Sequence, residues 1–166
     1  MSNAVFHAFK PPIGNEEKPS SKPVEMKLQY NPADLGLVKE TRWARHSTRL
    51  APHTSTPEFL GSQPQVLTMS LLFSEPDSTS DGSNADSRAS VAERIAMLRT
   101  WCEPHPEALK ANESSPPWIK LLWGEAPTFE WMVLQRLSIR ITRFSEQGKL
   151  LRAVCELTLE EVGVDK

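Results

Sequence analysis

Apolar and polar residues alternate along several stretches of this chain with the period of β-strands that bury one face. The alternation is strict at residues 24–30 and 66–73, shorter at residues 4–10 and 118–123, and weak at residues 35–43. Each stretch is bounded by proline, glycine, asparagine or serine, which commonly end strands. The pattern therefore predicts a mainly β protein.

The longest alternation covers residues 129–144 and predicts one continuous strand, because its odd positions from Phe129 to Ile141 stay apolar apart from Gln135. At ~3.3 Å per residue such a strand is roughly 50 Å long, whereas a compact domain of this size is about 40 Å across. Residues 145–149 predict a turn and residues 152–160 a return strand. We therefore expect a long hairpin that bends sharply or projects beyond its own core.

A single helix is predicted between the strands. Ser90 and Glu93 have the Ser-x-x-Glu spacing of a capping box, and Pro104 ends the pattern. Apolar residues recur at helical spacing between these points: Val91, Ile95, Leu98 and Cys102. Residues 106–111 add at most a turn. The expected fold class is mainly β with one flanking α-helix.

Two stretches lack a sustained period. Residues 44–65 are rich in histidine, serine, threonine and proline, and predict an extended loop. Residues 1–23 predict a first strand and a flexible, proline-rich loop, followed by one domain over residues 24–166. We expect a single domain overall.

Charge and hydropathy remove two classes of partner. The 19 Lys and Arg residues are balanced by 21 Asp and Glu residues, for a net charge of −2, and no basic block tracks a phosphate backbone. Mean hydropathy is −0.42 and no window approaches the ~20 apolar residues of a membrane span. We expect no nucleic acid and no membrane span, and the two cysteines fit cytoplasmic synthesis.

The chain carries no recognisable catalytic, cofactor-binding or metal-binding motif. Dinucleotide, phosphate-loop, hydrolase-elbow and zinc-protease patterns are all missing from the sequence. The four histidines lack metal-ligand spacing: His7, His46, His53 and His105. Cys102 and Cys155 both fall on predicted inward faces, which favours buried structural thiols. We therefore predict no enzyme activity, no cofactor and no metal.

Two residue groups leave alternatives open. The five tryptophans could form a carbohydrate platform, although their places on strand and helix faces favour core packing: Trp43, Trp101, Trp118, Trp123 and Trp131. Arginines repeat along the predicted hairpin at Arg136, Arg140, Arg143 and Arg152. This row is either a solvated sheet face or a surface that faces a channel or a neighbouring subunit.

In its order of elements, over about residues 24–161, the chain resembles the tube-initiator or baseplate adaptor proteins of contractile injection systems. These are phage-tail-tube-like domains, often fused to a peptidoglycan-binding LysM module. The resemblance rests on a Tyr-Asn-Pro corner, a Trp-Gly pair and the closing hairpin: Tyr30, Asn31, Pro32, Trp123, Gly124 and residues 129–160. The sequence ends at Lys166, directly after the closing strand, so we expect no LysM module here.

The resemblance implies a phage-tail-tube-like β-sandwich or split barrel that forms a hexameric ring between the spike and the inner tube. It implies four kinds of partner: copies of the chain itself, the inner-tube protein, the spike or hub protein, and other baseplate proteins. The protein would assemble in the cytoplasm into a phage-tail-like particle that can be released. An ordinary inner-tube subunit is the main alternative, and a carbohydrate-binding β-sandwich a more distant one.

The long hairpin is the element that we expect to drive assembly. A strand that outruns its core exposes backbone groups that a neighbour's sheet edge can satisfy. The residues expected at this interface are Trp131, Arg136, Ser138, Arg140, Thr142, Arg143 and Arg152.

Overall fold

The computed structural model describes residues 3–46, 56–75, 89–125 and 129–163. The fold is mainly β with a flanking helix, as the sequence predicts. Within these ranges the elements are β1 (Val5–Phe9), β2 (Val24–Lys27), β3 (Leu35–Val38), β4 (Thr41–His46), β5 (Thr56–Ser62), β6 (Val66–Ser74), α1 (Val91–Thr100), α2 (Pro106–Lys110), β7 (Trp118–Leu122), β8 (Phe129–Phe144) and β9 (Leu150–Glu161).

Seven strands form one antiparallel sheet in the order β2-β1-β7-β8-β9-β6-β3, and β4 pairs with β5 alone. Strand β1 lies between β2 and β7, in register with both. The first strand is therefore an integral part of the sheet that residues 24–163 build, rather than a loose extension of it.

The sheet curls back on itself near one end of β6. Gln29 Nε2 donates to the Ser74 carbonyl at 2.6 Å, and the Ser74 N–H donates to Gln29 Oε1 at 3.0 Å. Gln29 follows edge strand β2, and Ser74 ends β6, which lies next to the opposite edge. One amide side chain thus bridges two distant parts of the strand order, so the sheet is a partly closed barrel around its core.

The core inside this curl is apolar, and among the described residues no polar or charged side chain is buried in it. Helix α1 closes the core with Val91, Ile95 and Leu98. The predicted capping box is present: Ser90 Oγ accepts the Glu93 N–H at 3.1 Å, and Glu93 Oε2 accepts the Ser90 N–H at 2.7 Å. Leu28, directly after β2, and strand residues that are at most 2% exposed complete the core: Phe6, Leu67, Leu71, Phe73, Ile119, Leu121, Leu157 and Leu159.

Strand β8 has the predicted bounds, but its apolar odd positions do not share one buried face. Met132 and Leu134 are the buried residues of its first part, whereas Leu137 and Ile139 pack against the core further on. The pairing with β9 shifts between Leu134 and Arg136. This bulge adds one residue to β8, so the side-chain alternation changes phase at Gln135.

Residues 44–46 and 56–62 lie in strands, whereas the sequence predicts an extended loop over residues 44–65; residues 47–55 of that prediction lie outside the described ranges. The weak pattern at residues 35–43 divides into β3 and β4, and residues 56–62 form β5 instead of loop. The prediction was wrong here because no face of the β4–β5 pair is buried: every described side chain is exposed except those of Ala44 and Gly61. Without a buried face, nothing imposes the alternation that identifies a strand.

Candidate assembly surface

One edge of β8 has almost no strand partner. On that side β7 pairs with β8 only between Phe129 and Met132, whereas β9 pairs with the other edge from Met132 to Phe144. Among the described residues, no strand pairs with the open edge over residues 133–144. This edge is roughly 40 Å long at ~3.3 Å per residue. Because β9 has β8 and β6 on its two sides, the hairpin offers one edge for pairing rather than two.

The two ends of the strand order provide the other open edges. Strand β3 pairs only with β6, and its Leu37 and Val38 side chains are half exposed. At the opposite end, Arg94 Nη1 donates to the Lys27 carbonyl at 2.7 Å and covers part of the β2 edge. The β3 edge is the more accessible of the two. The sequence did not single out β3 as an edge, although its apolar side chains without a buried face are a signal for one.

The outer face of strands β3, β6, β9 and β8 carries polar side chains in its central rows, and Leu72 and Val154 lie in the row beyond them. Thr68 is in register with Gly36 on one side and with Thr158 on the other. A Cβ added at Gly36 would lie 2.4 Å from Thr68 Oγ1, so the two strands approach closely at this position. Ser70, Glu156 and Ser138 form the neighbouring row. We call this surface, on strands β3, β6, β9 and β8, the polar face.

Six of the seven predicted interface residues lie together in the outer half of the hairpin. Four are exposed on β8: Arg136, Ser138, Arg140 and Thr142. Arg143 is in register with Arg152 of β9, and Thr142 Oγ1 approaches the Arg152 carbonyl at 3.5 Å. The tip of the hairpin is therefore rich in cationic groups.

Trp131 lies apart from these residues, at the other end of β8. Its ring centroid is 5.5 Å from that of Phe9 and 5.9 Å from that of Trp118, and Lys120 Nζ lies 4.0 Å above its ring. Its φ of +54° is unusual for a bulky residue. The Val162 N–H donates to the Trp131 carbonyl at 2.7 Å and helps to hold this conformation. We call the surface formed by Phe9, Trp118, Lys120 and Trp131 the aromatic face.

The residues that carry the family resemblance form corners of the fold. Asn31 Oδ1 accepts the Ala4 N–H at 2.8 Å, which ties the chain after β2 to the start of β1. Pro32 is buried and Tyr30 is half exposed. Trp123 packs against the core. Gly124 has a φ of +52°, in the left-handed region that favours glycine.

Glu75 joins the hairpin to the helix. Its carboxylate lies 2.6 Å from Lys149 Nζ in the hairpin turn and accepts the Val91 N–H at the start of α1. Burial opposes ionisation of Glu75, but the hydrogen bonds from Lys149 and Val91 outweigh it and hold the pKa of this carboxyl below its usual value. In the turn itself, the Ser145 N–H donates to the Lys149 carbonyl at 2.9 Å, and Gly148 has a φ of +80°.

The two thiols have different environments. Cys155 is fully buried on β9, and burial raises its pKa to about 11. Cys102 is exposed, which overturns the expectation that it lies on an inward face. Helix α1 ends at Thr100, so Cys102 lies outside the helical spacing that predicted its burial.

No group of three or more His, Cys, Asp or Glu side chains in the described ranges could hold a metal ion. His53 lies outside those ranges. No helix in the described part of the chain is both long and apolar enough to cross a membrane.

The fold and its open edges define a mainly antiparallel β protein with a flanking helix. The family model for the contractile injection system tube protein matches residues 6–166. The chain therefore belongs to that family and is a structural component of a contractile injection system, within a phage-tail-like particle. No curated protein matches the chain. A solved chain from the six-fold symmetrised cryo-EM structure of the anti-feeding prophage baseplate is similar, with 10% identity, a TM-score of 0.41 and coverage of 100% of this chain and 96% of that one.

Proposed function

We propose that the protein forms a hexameric ring that connects the spike or hub of the particle to its inner tube. The observation that carries this proposal is the open edge of β8 over residues 133–144. Unpaired N–H and C=O groups in a row are a template for another strand, and a monomer that keeps them exposed risks uncontrolled pairing. A ring with head-to-tail contacts satisfies these groups at every interface and closes by rotation.

The strand that fits the open edge is β3 of the next copy. Strands β8, β9, β6 and β3 run in alternating directions, because each is antiparallel to its neighbour. Rotation about a ring axis preserves strand direction along that axis, so the β3 strand of one copy is antiparallel to the β8 strand of the next. Four strands from every copy then form one continuous barrel in which each pairing is antiparallel.

In this barrel the polar face lines the channel. The opposite face of the same strands holds the core and contacts α1, so the helix lies on the outside of the ring. The two central rows of this wall are polar: Thr68 with Thr158 and Arg136, and Ser70 with Glu156 and Ser138. Such rows suit the passage of hydrated cargo, because they offer no apolar side chain on which cargo would adhere.

An inner-tube subunit is the second candidate, and the description of the family as a tube protein favours it. The Tyr-Asn-Pro corner and the Trp-Gly pair, which carry the resemblance to the adaptors, favour the first. The two differ in whether rings stack. Electron microscopy of the purified protein at high concentration should show single rings for an adaptor and extended tubes for a tube subunit.

Proline substitutions test the ring contact. Successive N–H groups of a strand point to opposite edges, so of the adjacent residues Ser138 and Ile139 one donates towards β9 and the other towards the open edge. Proline has no N–H, so each substitution removes one of these two donors. We expect Ser138→Pro and Ile139→Pro to differ in thermal unfolding. The variant with the smaller loss of Tm should still fail to form rings, as measured by analytical ultracentrifugation.

The control is Leu109→Ser on the exposed side of α2, which leaves the open edge unchanged and should form rings like the parent chain. If the more stable proline variant forms rings at the parental yield, the open edge of β8 is not the contact. If the parent chain itself stays monomeric and particles assemble normally without it, the ring function is wrong.

A further inference from the structure

The β4–β5 pair is a projecting hairpin with an unmatched aromatic side; we call residues 41–46 and 56–62 the arm. Trp43 and Phe59 lie in register, with their ring centroids 5.3 Å apart in an edge-to-face contact. They are 56% and 55% exposed, and Leu60 beside them is 60% exposed. Within the described residues, neither strand of the arm pairs with the main sheet. A two-stranded hairpin is marginally stable by itself, so this surface calls for a partner.

The aromatic face is a second unmatched surface on the same chain. It lies on the side of β1, β7 and β8 away from the core, because the buried residues of these strands are their alternate neighbours: Phe6, Ala8, Ile119, Leu121 and Met132. Its own side chains are only partly buried. Helix α1 does not cover it, since α1 packs on the core side. The chain thus carries two apolar surfaces, the arm and the aromatic face, and their strands do not pair with each other.

We propose that the arm of one copy packs on the aromatic face of the next copy in the ring. This inference rests on the proposed ring. Within one copy, Val38 of β3 pairs with Val66, Val66 pairs with Glu160, and Glu160 pairs with Val133. Val38 is therefore level with Val133, the residue at which the open edge of β8 begins. A β3 strand placed on that edge in the same register, without a stagger between copies, ends where β7 takes over the pairing. The following arm has to leave the sheet at this point, beside β7 and β1.

The curl of the sheet explains which surface the arm then meets. Strands β7 and β1 turn away from the polar face as the sheet curls around its core. The hydrogen bonds between Gln29 and Ser74 complete this curl. Their outer side consequently faces the neighbouring copy rather than the channel. Trp43 and Phe59 are then opposite Phe9 and Trp118, and edge-to-face contacts between such rings add to the burial of their area.

The exposed area indicates that the occupant is a second copy rather than an independent partner. A half-exposed aromatic side chain has roughly 100 Å² to bury, so Trp43 and Phe59 together supply about 200 Å². A stable interface needs about 800 Å² on each partner. The arm alone is too small, but it adds to the strand pairing that already positions the neighbouring copy.

Two variants and their mixture test this contact. The arm variant is Trp43→Ser with Phe59→Ser, and the face variant is Phe9→Ser with Trp118→Ser. Each alone should lose at least tenfold in ring yield by analytical ultracentrifugation. Mixed in equal amounts they should form dimers without closed rings, because each mixed pair retains one intact arm and one intact face. Leu109→Ser removes an equally exposed apolar side chain on α2 and should form rings normally.

Disulfide crosslinking separates this contact from the ring itself. In a Cys102→Ser background, Phe59→Cys and Lys120→Cys should crosslink different copies under mild oxidation. Crosslinked copies without rings would support the arm contact and contradict the ring. If the arm variant forms rings at the parental yield, the arm contact is wrong and the ring stands. The same holds if the cysteine variants form rings without crosslinks. Absence of both rings and crosslinks would overturn both. Unchanged circular dichroism establishes that each variant folds.

Discussion

The molecule has two hairpins that differ in what their side chains face. In the β8–β9 hairpin, β9 buries alternate residues such as Ala153, Cys155 and Leu157 almost completely. In the β4–β5 arm, Trp43 and Phe59 are more than half exposed although they are equally apolar. Strand pairing is the same in both, so burial rather than pairing separates the structural hairpin from the one that is available to another molecule.

The largest expected effect is on the free energy of unfolding, which should depend on whether the substituted side chain is buried in the β8–β9 hairpin or exposed on the arm. Leu157→Ala creates a cavity in the core and should destabilise the protein by about 2–5 kcal/mol. Phe59→Ala removes an exposed ring and should change stability by no more than ~0.5 kcal/mol. Urea unfolding of the monomer measures both. Equal losses for the two substitutions would show that the arm belongs to the folded core.

Glu75 provides a smaller test, because it ties the turn of the β8–β9 hairpin to α1. Glu75→Gln should cost about 1 kcal/mol, since it weakens the partly exposed hydrogen bonds with Lys149 and Val91. The pKa of Glu75 is lower in the folded protein than its usual value of 4.5. Its contribution is therefore present above that value and is lost as pH falls through the folded pKa.

Thermal unfolding of the parent and Glu75→Gln chains between pH 7 and pH 3 measures this contribution. The difference in Tm should shrink as the solution becomes acidic. A difference that stays constant over the whole range would mean that the charge of Glu75 does not stabilise the link. Glu146→Gln, at an exposed position in the same hairpin turn, is the matched control and should have little effect at any pH.

The smallest expected effect is a difference in the reactivity of Cys102 and Cys155. It tests burial without any substitution in the chain. Cys102 should react with a thiol reagent in the native state at pH 8, because it is exposed. Cys155 should react only after unfolding, since it is buried on β9 and has a pKa of about 11. Mass spectrometry of the labelled chain distinguishes the two. Labelling of both at equal rates would contradict the burial of the β9 face.

The sequence predicted those elements whose side chains one core constrains. Strand β6, the capping box of α1 and the bounds of β8 follow from burial or from local hydrogen bonding, and all are confirmed. The arm was missed because an exposed strand has no periodic signature, and the open edge of β3 depends on which strands end up adjacent. Such adjacency is a property of the whole topology and is not encoded by any single stretch.

The candidate surface shows the same division. The clustering of Arg136, Arg140 and Arg152 on one hairpin could be expected from a two-residue period and a turn at residues 145–149. The separation of Trp131 from them could not, because it depends on a positive φ and on the bulge at Gln135. The partners of Trp131 come from β1 and β7, far away in sequence.

The bulge at Gln135 also constrains how this gene can change. Because side chains of a strand alternate with a period of two, adding or deleting one residue between Gln135 and the turn would exchange the apolar and polar sides of the outer hairpin. For a change directly after Gln135, Arg136 and Arg140 would then point at the core, and Leu137 would join the polar face. Length variation in this segment is therefore compatible with the fold only in steps of two residues, or when a second bulge restores the phase.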